Sequence, residues 1–415
     1  MLGDARVGDV VEQIGTLVRC ESPSDDLDAL ARCADVVDGV GTELMGKPAA
    51  RIEKGGRTHL RWSWGDGPRR VLVLGHYDTV WPLGSLESHP WAVSDGVLRG
   101  PGCFDMKAGI VQSFCAVAAL PEPLRDGLVI LLTADEEISA PTSRELIERE
   151  AAGLSAVFVT EPSGPGGALK TARKGMSRYV VTAVGRAAHA GLEPEKGLNT
   201  TLELAEQVRR IADYQHPPTL TTVTPTVLTS GTTANTVPDS GSAWVDVRSA
   251  STAELTRIRT RMENLAPATS GITLEVEGDH RPPLEEAMSR ALFERAVSVA
   301  CSEDLGELTE TFAGGVSDGN FTAGVGTPTL DGLGAVGGGA HADDEHVVVD
   351  AIPDRIALLS GLLRAVLREP AGPQTLGAVT GRQSHQPTPG PKDQECPPGD
   401  PSTNGRPPEN KEREQ

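Results

Sequence analysis

Basic residues are scarce in this sequence relative to acidic ones. Across 415 residues, 38 Lys and Arg stand against 58 Asp and Glu, for a formal net charge of −20. Nucleic acids and anionic membranes both attract clustered Lys and Arg. The acidic excess therefore argues against either as a partner, but it does not indicate the substrate.

Long apolar runs are missing as well. No stretch approaches the roughly 20 apolar residues of a membrane-spanning helix. The start of the chain, Met1 to Arg6, lacks the basic segment and apolar core of a secretory signal. The cysteines are scattered without a CxxC pair, which indicates ordinary thiols rather than a disulfide framework or a thiolate metal site. We expect a cytoplasmic protein.

Short apolar runs alternate with helical patterns in the first part of the chain. The runs at residues 71–74, 128–132 and 156–159 are rich in Val, Leu and Ile and too short for helices. Helical spacing occurs at about residues 5–20 and 107–120. Buried strands that alternate with helices predict an α/β domain with a mixed, mostly parallel sheet.

The pattern changes near Gly175. Residues 178–277 show a strand, a helix, two strands, a helix and a strand, which predicts a ferredoxin-like α+β insert. The alternation of strands and helices seen in the first part resumes at Leu284, and the pattern ends in a helix at 352–367. We therefore expect one catalytic domain that is interrupted by a second, smaller one.

The final segment is rich in Gly, Pro and polar residues and has few large apolar ones. Such a composition cannot bury enough surface to offset its ordering entropy. The predicted organisation is a catalytic domain at residues 1–174 and 284–370, an insert at 175–283 and a disordered tail at 371–415.

Polar side chains follow the predicted strands at the points where these end. His76 and Asp78 follow the first strand, the acidic run 135–137 follows the second, and Glu161 follows the third. Asp105 lies on a glycine-rich turn before a helix. Ligands of open α/β sheets gather at the carboxyl ends of strands, so we expect these side chains to converge.

A second histidine, His341, lies on the glycine-rich loop 337–343. Two histidines and three carboxylates suit zinc, cobalt or manganese. Five ligands indicate two metals that share a bridging carboxylate, because one metal needs only three protein ligands. One acid of the pair Glu136 and Glu137 then remains to move protons. Each residue also has an ordinary structural interpretation, such as a helix N-cap for Asp105, but their joint order favours the metal site.

These residues lie in stretches that resemble the M20 family of metallopeptidases, and most of all its glutamate carboxypeptidase (carboxypeptidase G2-like) branch. The resemblance covers about residues 5–368. The matching stretches are 75–80, 100–109, 133–137, 160–162, 173–175, 185–191, 235–239 and 339–341.

The resemblance implies a role for each candidate residue of the metal site. Asp105 bridges the two metals. The other implied ligands are His76 and Glu161 for one metal, and Glu137 and His341 for the other.

The resemblance further implies that Glu136 is the general base. Asp78 is implied as the carboxylate that orients the ring of His76, a supporting role that metal sites commonly need. The peptide bond between Asp105 and Met106 is implied to be cis.

The insert resembles a dimerisation or lid domain, which implies a homodimer. On it, His189 is implied to reach the active site of the partner subunit and to help hold the oxyanion. Asn235 and Arg281 resemble residues that grip the terminal carboxylate of the substrate, which suits the two-pronged guanidinium group. A surface arginine is an equal alternative for Arg281.

The implied activity is the hydrolysis of an amide bond in a small peptide or N-acyl amino acid, with two Zn²⁺ (or Co²⁺ or Mn²⁺) per subunit. The product is a C-terminal amino acid, with glutamate as a candidate. The sequence of the loop 314–319 differs from that of the glutamate carboxypeptidase branch, so the resemblance supports glutamate less strongly than it supports the reaction. The alternatives are an aminoacylase-type or desuccinylase-type deacylase, an aminopeptidase, and a non-catalytic binding protein on the same fold.

Overall fold

The computed structural model describes residues 4–369, with side chains from residue 7 onward. The predicted tail at 371–415 lies outside the described residues. Within the described part, no helix is both long and apolar enough to cross a membrane. The α-helices are α1 (Asp4–Val18), α2 (Leu27–Met45), α3 (Ser85–Ser88), α4 (Ala108–Ala118), α5 (Arg144–Ala151), α6 (Thr200–Ala212), α7 (Thr252–Glu263), α8 (Glu286–Ser302), α9 (Gly319–Gly324) and α10 (Ile352–Arg368).

The β-strands of the described residues fall into a six-stranded central sheet, two four-stranded sheets and two two-stranded pairs. They are β1 (Ala50–Lys54), β2 (Arg57–Ser63), β3 (Val71–His76), β4 (Ala92–Ser94), β5 (Val97–Arg99), β6 (Leu128–Thr133), β7 (Ala156–Val159), β8 (Leu169–Arg173), β9 (Gly175–Val184), β10 (Ala188–His189), β11 (Thr222–Ser230), β12 (Thr236–Val237), β13 (Ser240–Ser249), β14 (Thr273–Arg281), β15 (Glu310–Ala313), β16 (Thr329–Leu330), β17 (Gly337–Gly338) and β18 (His346–Val348).

The central sheet has six strands in the order β1–β2–β6–β3–β7–β16. Strands β6, β3, β7 and β16 are parallel to one another, and β1 and β2 join antiparallel at one edge. The predicted mixed, mostly parallel sheet is confirmed. Strands β3, β6 and β7 are buried along their whole length, as expected for strands covered on both faces.

Two apolar cores cover the two faces of the central sheet. On one face, residues such as Val73 and Ile130 join a core with α1, α2, α4 and α10. On the other face, Leu74 and Leu131 pack in a core with Ile147 of α5 and Phe321 of α9. The alternation of side chains along a strand sends successive residues into different cores, which explains why these runs are continuously apolar.

The second sheet is antiparallel, in the order β11–β13–β9–β14. It has its own core, in which Val245 and Tyr179 of the sheet pack against Leu204 of α6 and Ile258 of α7. The element order β9, α6, β11, β13, α7, β14 is the order that the sequence predicts for the insert. The limits of the insert at 175–283 stay a prediction.

The hairpin β1–β2 and helix α2 were not predicted. The hairpin has a two-residue turn of Gly55 and Gly56, both with positive φ (58° and 78°). A Gly-Gly pair between alternating residues is a recognisable signal for such a turn. Helix α2 is capped by Asp26, whose side chain accepts from the backbone N–H of Ala29.

Candidate metal centre

Neighbouring parallel strands bring the predicted site residues to one edge of the central sheet. His76 is the last residue of β3 and is paired in register with Thr133, the last residue of β6. Glu136 and Glu137 lie in the short turn that follows β6. Glu161 follows β7 by two residues, next to β3. The carboxyl ends of three adjacent strands therefore deliver four functional side chains.

Asp105 reaches the same edge from the irregular turn Cys103–Lys107 that precedes α4. Its peptide bond to Met106 is cis, as the resemblance implies. The turn begins after Gly102, which has a φ of 71°. A Cβ atom there would lie 2.5 Å from Thr79 Cγ2, so a side chain at position 102 would push against the strand-end loop beside the site.

One imidazole contacts one oxygen of the Asp105 carboxylate. His76 Nε2 lies 3.4 Å from Asp105 Oδ1 and 3.4 Å from Glu161 Oε1. Both His76 and Glu161 are buried. These three side chains form the first cluster.

A second imidazole contacts the other oxygen of the same carboxylate. His341 Nε2 lies 3.3 Å from Asp105 Oδ2 and 3.2 Å from Glu137 Oε1. His341 has a φ of 63° in the glycine-rich loop, and its side chain is half-exposed. The two oxygens of Asp105 thus face two separate His–Glu pairs, one buried and one open to solvent.

The charges of the two clusters favour a bound cation. Burial lowers the pKa of His76, but the nearby carboxylates of Asp105, Asp78 and Glu161 outweigh burial and raise that pKa well above its ordinary value. Hydrogen bonds that the His341 ring donates to the carboxylates of Asp105 and Glu137 raise the pKa of His341 to about 10. The carboxylates therefore stabilise positive charge at both imidazoles.

The donor atoms fit divalent metal ions. His76 Nε2 and Asp105 Oδ1 are buried and have no hydrogen-bond partner among the described residues. Such atoms are costly unless a ligand satisfies them. Ligating atoms within 4.8 Å of one another occur in two sets, His76 with Glu136 and Glu161, and His76 with Asp105 and Glu137. Imidazole nitrogen and carboxylate oxygen together suit zinc, cobalt and manganese.

Glu136 and Glu137 point in different directions. Glu137 faces His341, whereas Glu136 Oε1 lies 3.2 Å from Nη1 of Arg281. Burial, followed by the charge of Asp318, raises the pKa of Glu136 well above its ordinary value. Asp135 turns away from both, and its carboxylate accepts hydrogen bonds from Thr142 and Ser143. The acidic run thus divides into one fold-stabilising residue and two site residues.

Asp78 lies beneath the site and is fully buried. His76 Nδ1 is 2.9 Å from the backbone oxygen of Asp78 and 3.4 Å from its carboxylate Oδ1. The carboxylate accepts from the backbone N–H groups of Glu136 and Glu137 and from the hydroxyl of Ser24. Asp78 therefore contacts the His76 ring most closely through its backbone, and its carboxylate holds the acidic turn in place.

Arg281 joins the site, and the interpretation as a surface arginine is wrong. The residue is 2 % exposed and ends β14 beside Glu136. His189 and Asn235 are exposed instead, on neighbouring segments where His189 pairs with Thr236. In the described part of the chain, neither makes a hydrogen bond or ion pair with Glu136 or with the two clusters.

Several buried polar residues that sequence reasoning missed support the site. Glu345 accepts hydrogen bonds from the backbone N–H groups of Gly102, Phe104 and Asp105 and from the indole of Trp81. It thereby joins the turn that carries Asp105 to the loop that carries His341. A glutamate four residues after a histidine has no distinctive pattern in a single sequence.

A buried arginine holds the other side of the first cluster. Arg173 Nη2 lies 3.3 Å from Glu161 Oε2, and its Nε donates to Asp331 at 2.7 Å. The hydroxyl of Ser317 also donates to Asp331. Arg173 falls in one of the stretches that carry the resemblance, but its role follows only from its contacts.

Comparisons with known proteins agree with this geometry. The model of Peptidase family M20/M25/M40 matches residues 72–365. The chain is 27% identical to carboxypeptidase G2 of Pseudomonas sp. (strain RS-16), over 85% of this chain and 88% of that protein. It is 30% identical to succinyl-diaminopimelate desuccinylase of Roseobacter denitrificans, over 86% of this chain and 98% of that protein.

A solved structure shows the same fold. The M20 family metallo-carboxypeptidase of Sulfolobus solfataricus matches with a TM-score of 0.64 and 16% identity, over 88% of this chain and all of that chain. The mixed sheet and its His–carboxylate clusters define a metal-dependent hydrolase. The chain belongs to peptidase family M20/M25/M40.

Proposed function

We propose that this protein is a two-metal hydrolase that cleaves an amide bond next to a free carboxylate and releases a C-terminal amino acid from a peptide or N-acyl amino acid. Zinc is the expected metal, with cobalt and manganese as alternatives. The observation that carries the proposal is the position of Asp105, whose two carboxylate oxygens each face a different His–Glu pair.

The geometry supports two ligand sets. His76 and Glu161 would hold one cation together with Asp105, and Glu137 and His341 would hold the second together with the same carboxylate. Bound cations of this kind polarise the substrate carbonyl and lower the pKa of water. Asp78 and the neighbouring backbone keep the ring of His76 in its orientation.

Glu136 moves the proton. Its raised pKa suits a group that accepts a proton from the attacking water and later donates it to the leaving nitrogen near neutral pH. Arg281 lies within hydrogen-bond distance of Glu136, so a substrate carboxylate that binds to this guanidinium also lies beside the base.

Two substrate classes fit the site. The match to carboxypeptidase G2 supports the release of a C-terminal amino acid, with glutamate as a candidate. The match at 30% identity to a succinyl-diaminopimelate desuccinylase supports the second class, an N-acyl amino acid that loses its acyl group. Both classes place a free carboxylate near the scissile amide, where Arg281 would bind it.

A homodimer through the insert completes the proposal. Val227 of β11 pairs with Trp244 of β13, and their side chains are 52% and 42% exposed. Exposed apolar residues of this size in one patch are typical of an interface. His189 and Asn235 are exposed on adjacent segments of the insert, where they are free to serve a partner subunit. A cytoplasmic location stays a prediction.

A substrate panel tests the proposed reaction. N-acyl amino acids, N-succinyl diamino acids and dipeptides are assayed with and without added zinc, and the released amino acid is quantified. We expect zinc-dependent release from substrates with a free carboxylate and little release from their amides. Equal turnover of carboxylates and amides would remove Arg281 from substrate binding. Turnover that is insensitive to chelators would remove the metal chemistry.

A further inference from the structure

A cavity of about 290 Å³ lies between the catalytic part of the chain and the insert. One wall comes from α5 and the segment after α9, and the other from β9, α7 and β14 of the insert. Neither Glu136 nor any of the five metal-site residues lines it. A ligand in this cavity would contact both parts of the protein without reaching the bond-breaking groups.

Three guanidinium groups line the cavity, against one carboxylate. The arginines are Arg144, Arg259 and Arg281, and the carboxylate is Glu148. Three further carboxylates outside the lining, Asp279, Glu263 and Glu136, approach these arginines, so the positive charge left for a ligand depends on how closely each arginine is paired. Concentrated positive charge in a concave site attracts anions.

The arginines differ in how far carboxylates already neutralise them. Arg144 is well paired, with Glu148 at 2.9 Å and Asp279 at 3.7 Å. Arg259 has only a distant partner, because its Nε lies 3.9 Å from Glu263 and its side chain is about half exposed. Arg259 is therefore the cation best placed to gain a new partner.

Arg281 contributes a third, mostly buried cation. Its Nη1 contacts Glu136, while its buried Nη2 has no hydrogen-bond partner among the described residues. The ring of Phe321 lies 5.0 Å from the guanidinium carbon of Arg144 and 4.6 Å from that of Arg281. Arg281 thus links the cavity to the proposed base.

His280 lies among these arginines on the wall of the cavity. Burial and then the positive charge of Arg259 lower the pKa of His280 below its ordinary value. Its Nδ1 lies 3.0 Å from the hydroxyl of Ser177, and its backbone oxygen accepts from Nη1 of Arg144. The backbone of His280 thus holds Arg144 on the wall opposite Arg259.

The rest of the lining combines an aliphatic wall with hydroxyl groups. Leu255, Pro283 and Val325 face the cavity together with Thr252 and Thr256. Guanidinium groups beside an aliphatic wall match an anion with an aliphatic body better than an inorganic ion. We propose that this cavity binds a small aliphatic carboxylate, which joins the insert to the catalytic part of the chain.

Direct measurement of ligand binding tests the site. Glutarate is titrated into the full-length, zinc-loaded protein by isothermal calorimetry, with inorganic phosphate at the same ionic strength as the inorganic probe. The site variant is Arg259→Gln, and its matched control is Arg209→Gln, an exposed arginine on α6. Loss of one charge-assisted hydrogen bond predicts that Arg259→Gln weakens glutarate binding about 10- to 100-fold, whereas the control leaves it unchanged.

Three results would overturn the proposal. The first is an equal dissociation constant for glutarate in the site variant and the control. The second is phosphate binding as tight as glutarate binding, which would point to charge alone. The third is competitive inhibition by glutarate that persists in Arg259→Gln, which would assign glutarate to the metal centre. The variant Arg144→Gln gives an independent check on the opposite wall, where we again expect weaker binding of glutarate.

Discussion

The substitution Glu136→Gln isolates proton transfer from the rest of the site. Glutamine keeps the size of the side chain and an oxygen that accepts from Arg281 Nη1, which lies 3.2 Å from Glu136 Oε1. It cannot accept the proton of the attacking water. A positioned acid–base group contributes about 10²- to 10⁴-fold to the rate, which corresponds to about 3–5 kcal/mol of barrier. We expect kcat to fall by that factor in a zinc-saturated assay.

The metal content of the same variant decides between two roles for Glu136. Its carboxylate lies close enough to His76 and Glu161 to act as a ligand. If Glu136 is the base and not a ligand, elemental analysis will find the same zinc content in Glu136→Gln as in the wild type. Glu122→Gln, at an exposed position, is the matched control. Loss of zinc together with activity would refute the assignment, as would a kcat within threefold of the wild type.

Other parts of the structure make further predictions. Burial raises the pKa of Asp318 to about 7 from 3.8, so ionisation of this carboxyl opposes folding by up to about 4 kcal/mol above pH 7 and by nothing below pH 4. In urea titrations we therefore expect Asp318→Asn to be more stable than the wild type at pH 8 and equally stable at pH 4. The control Asp350→Asn, at an exposed position, should have the stability of the wild type at both pH values. Equal stability of Asp318→Asn and the wild type at pH 8 would contradict the raised pKa of Asp318. Glu345→Ala leaves four donors without an acceptor. We therefore expect the free energy of unfolding to fall by about 3–5 kcal/mol and zinc binding to weaken about 10- to 100-fold. An unchanged zinc affinity would contradict the supporting role of Glu345. Trp244→Glu puts a charge in the exposed apolar patch of the insert. For the proposed dimer we expect light scattering to show the mass of a dimer for the wild type and of a monomer for the variant, and equal masses would remove the patch from the interface.

The central strands could be predicted from sequence because both of their faces are buried. The run at 71–74 extends to His76 in β3, and that at 156–159 is strand β7. Their short length and their content of Val and other strand-favouring residues favour a buried strand over a helix. The polar residues at the strand ends then follow from the geometry of parallel sheets, which is why His76 and Glu161 could be placed together before any contact was known.

The remaining site residues depend on contacts between distant parts of the chain. Glu345 binds the backbone of residues 102–105, more than 200 positions away, and no local pattern signals that contact. For Arg281, the sequence left a surface position and a site position equally open. Its burial against Glu136 and Phe321 results from the way β14 returns from the insert to the catalytic part. Tertiary packing, rather than local propensity, decides such positions.

Crystallography of the zinc-loaded protein at the zinc absorption edge tests the central claim most directly. We expect two anomalous peaks about 3.5–4 Å apart, with Asp105 between them. His76 and Glu161 should contact one ion, and Glu137 and His341 the other. A single peak, or a pair of peaks that Asp105 does not bridge, would contradict the central claim.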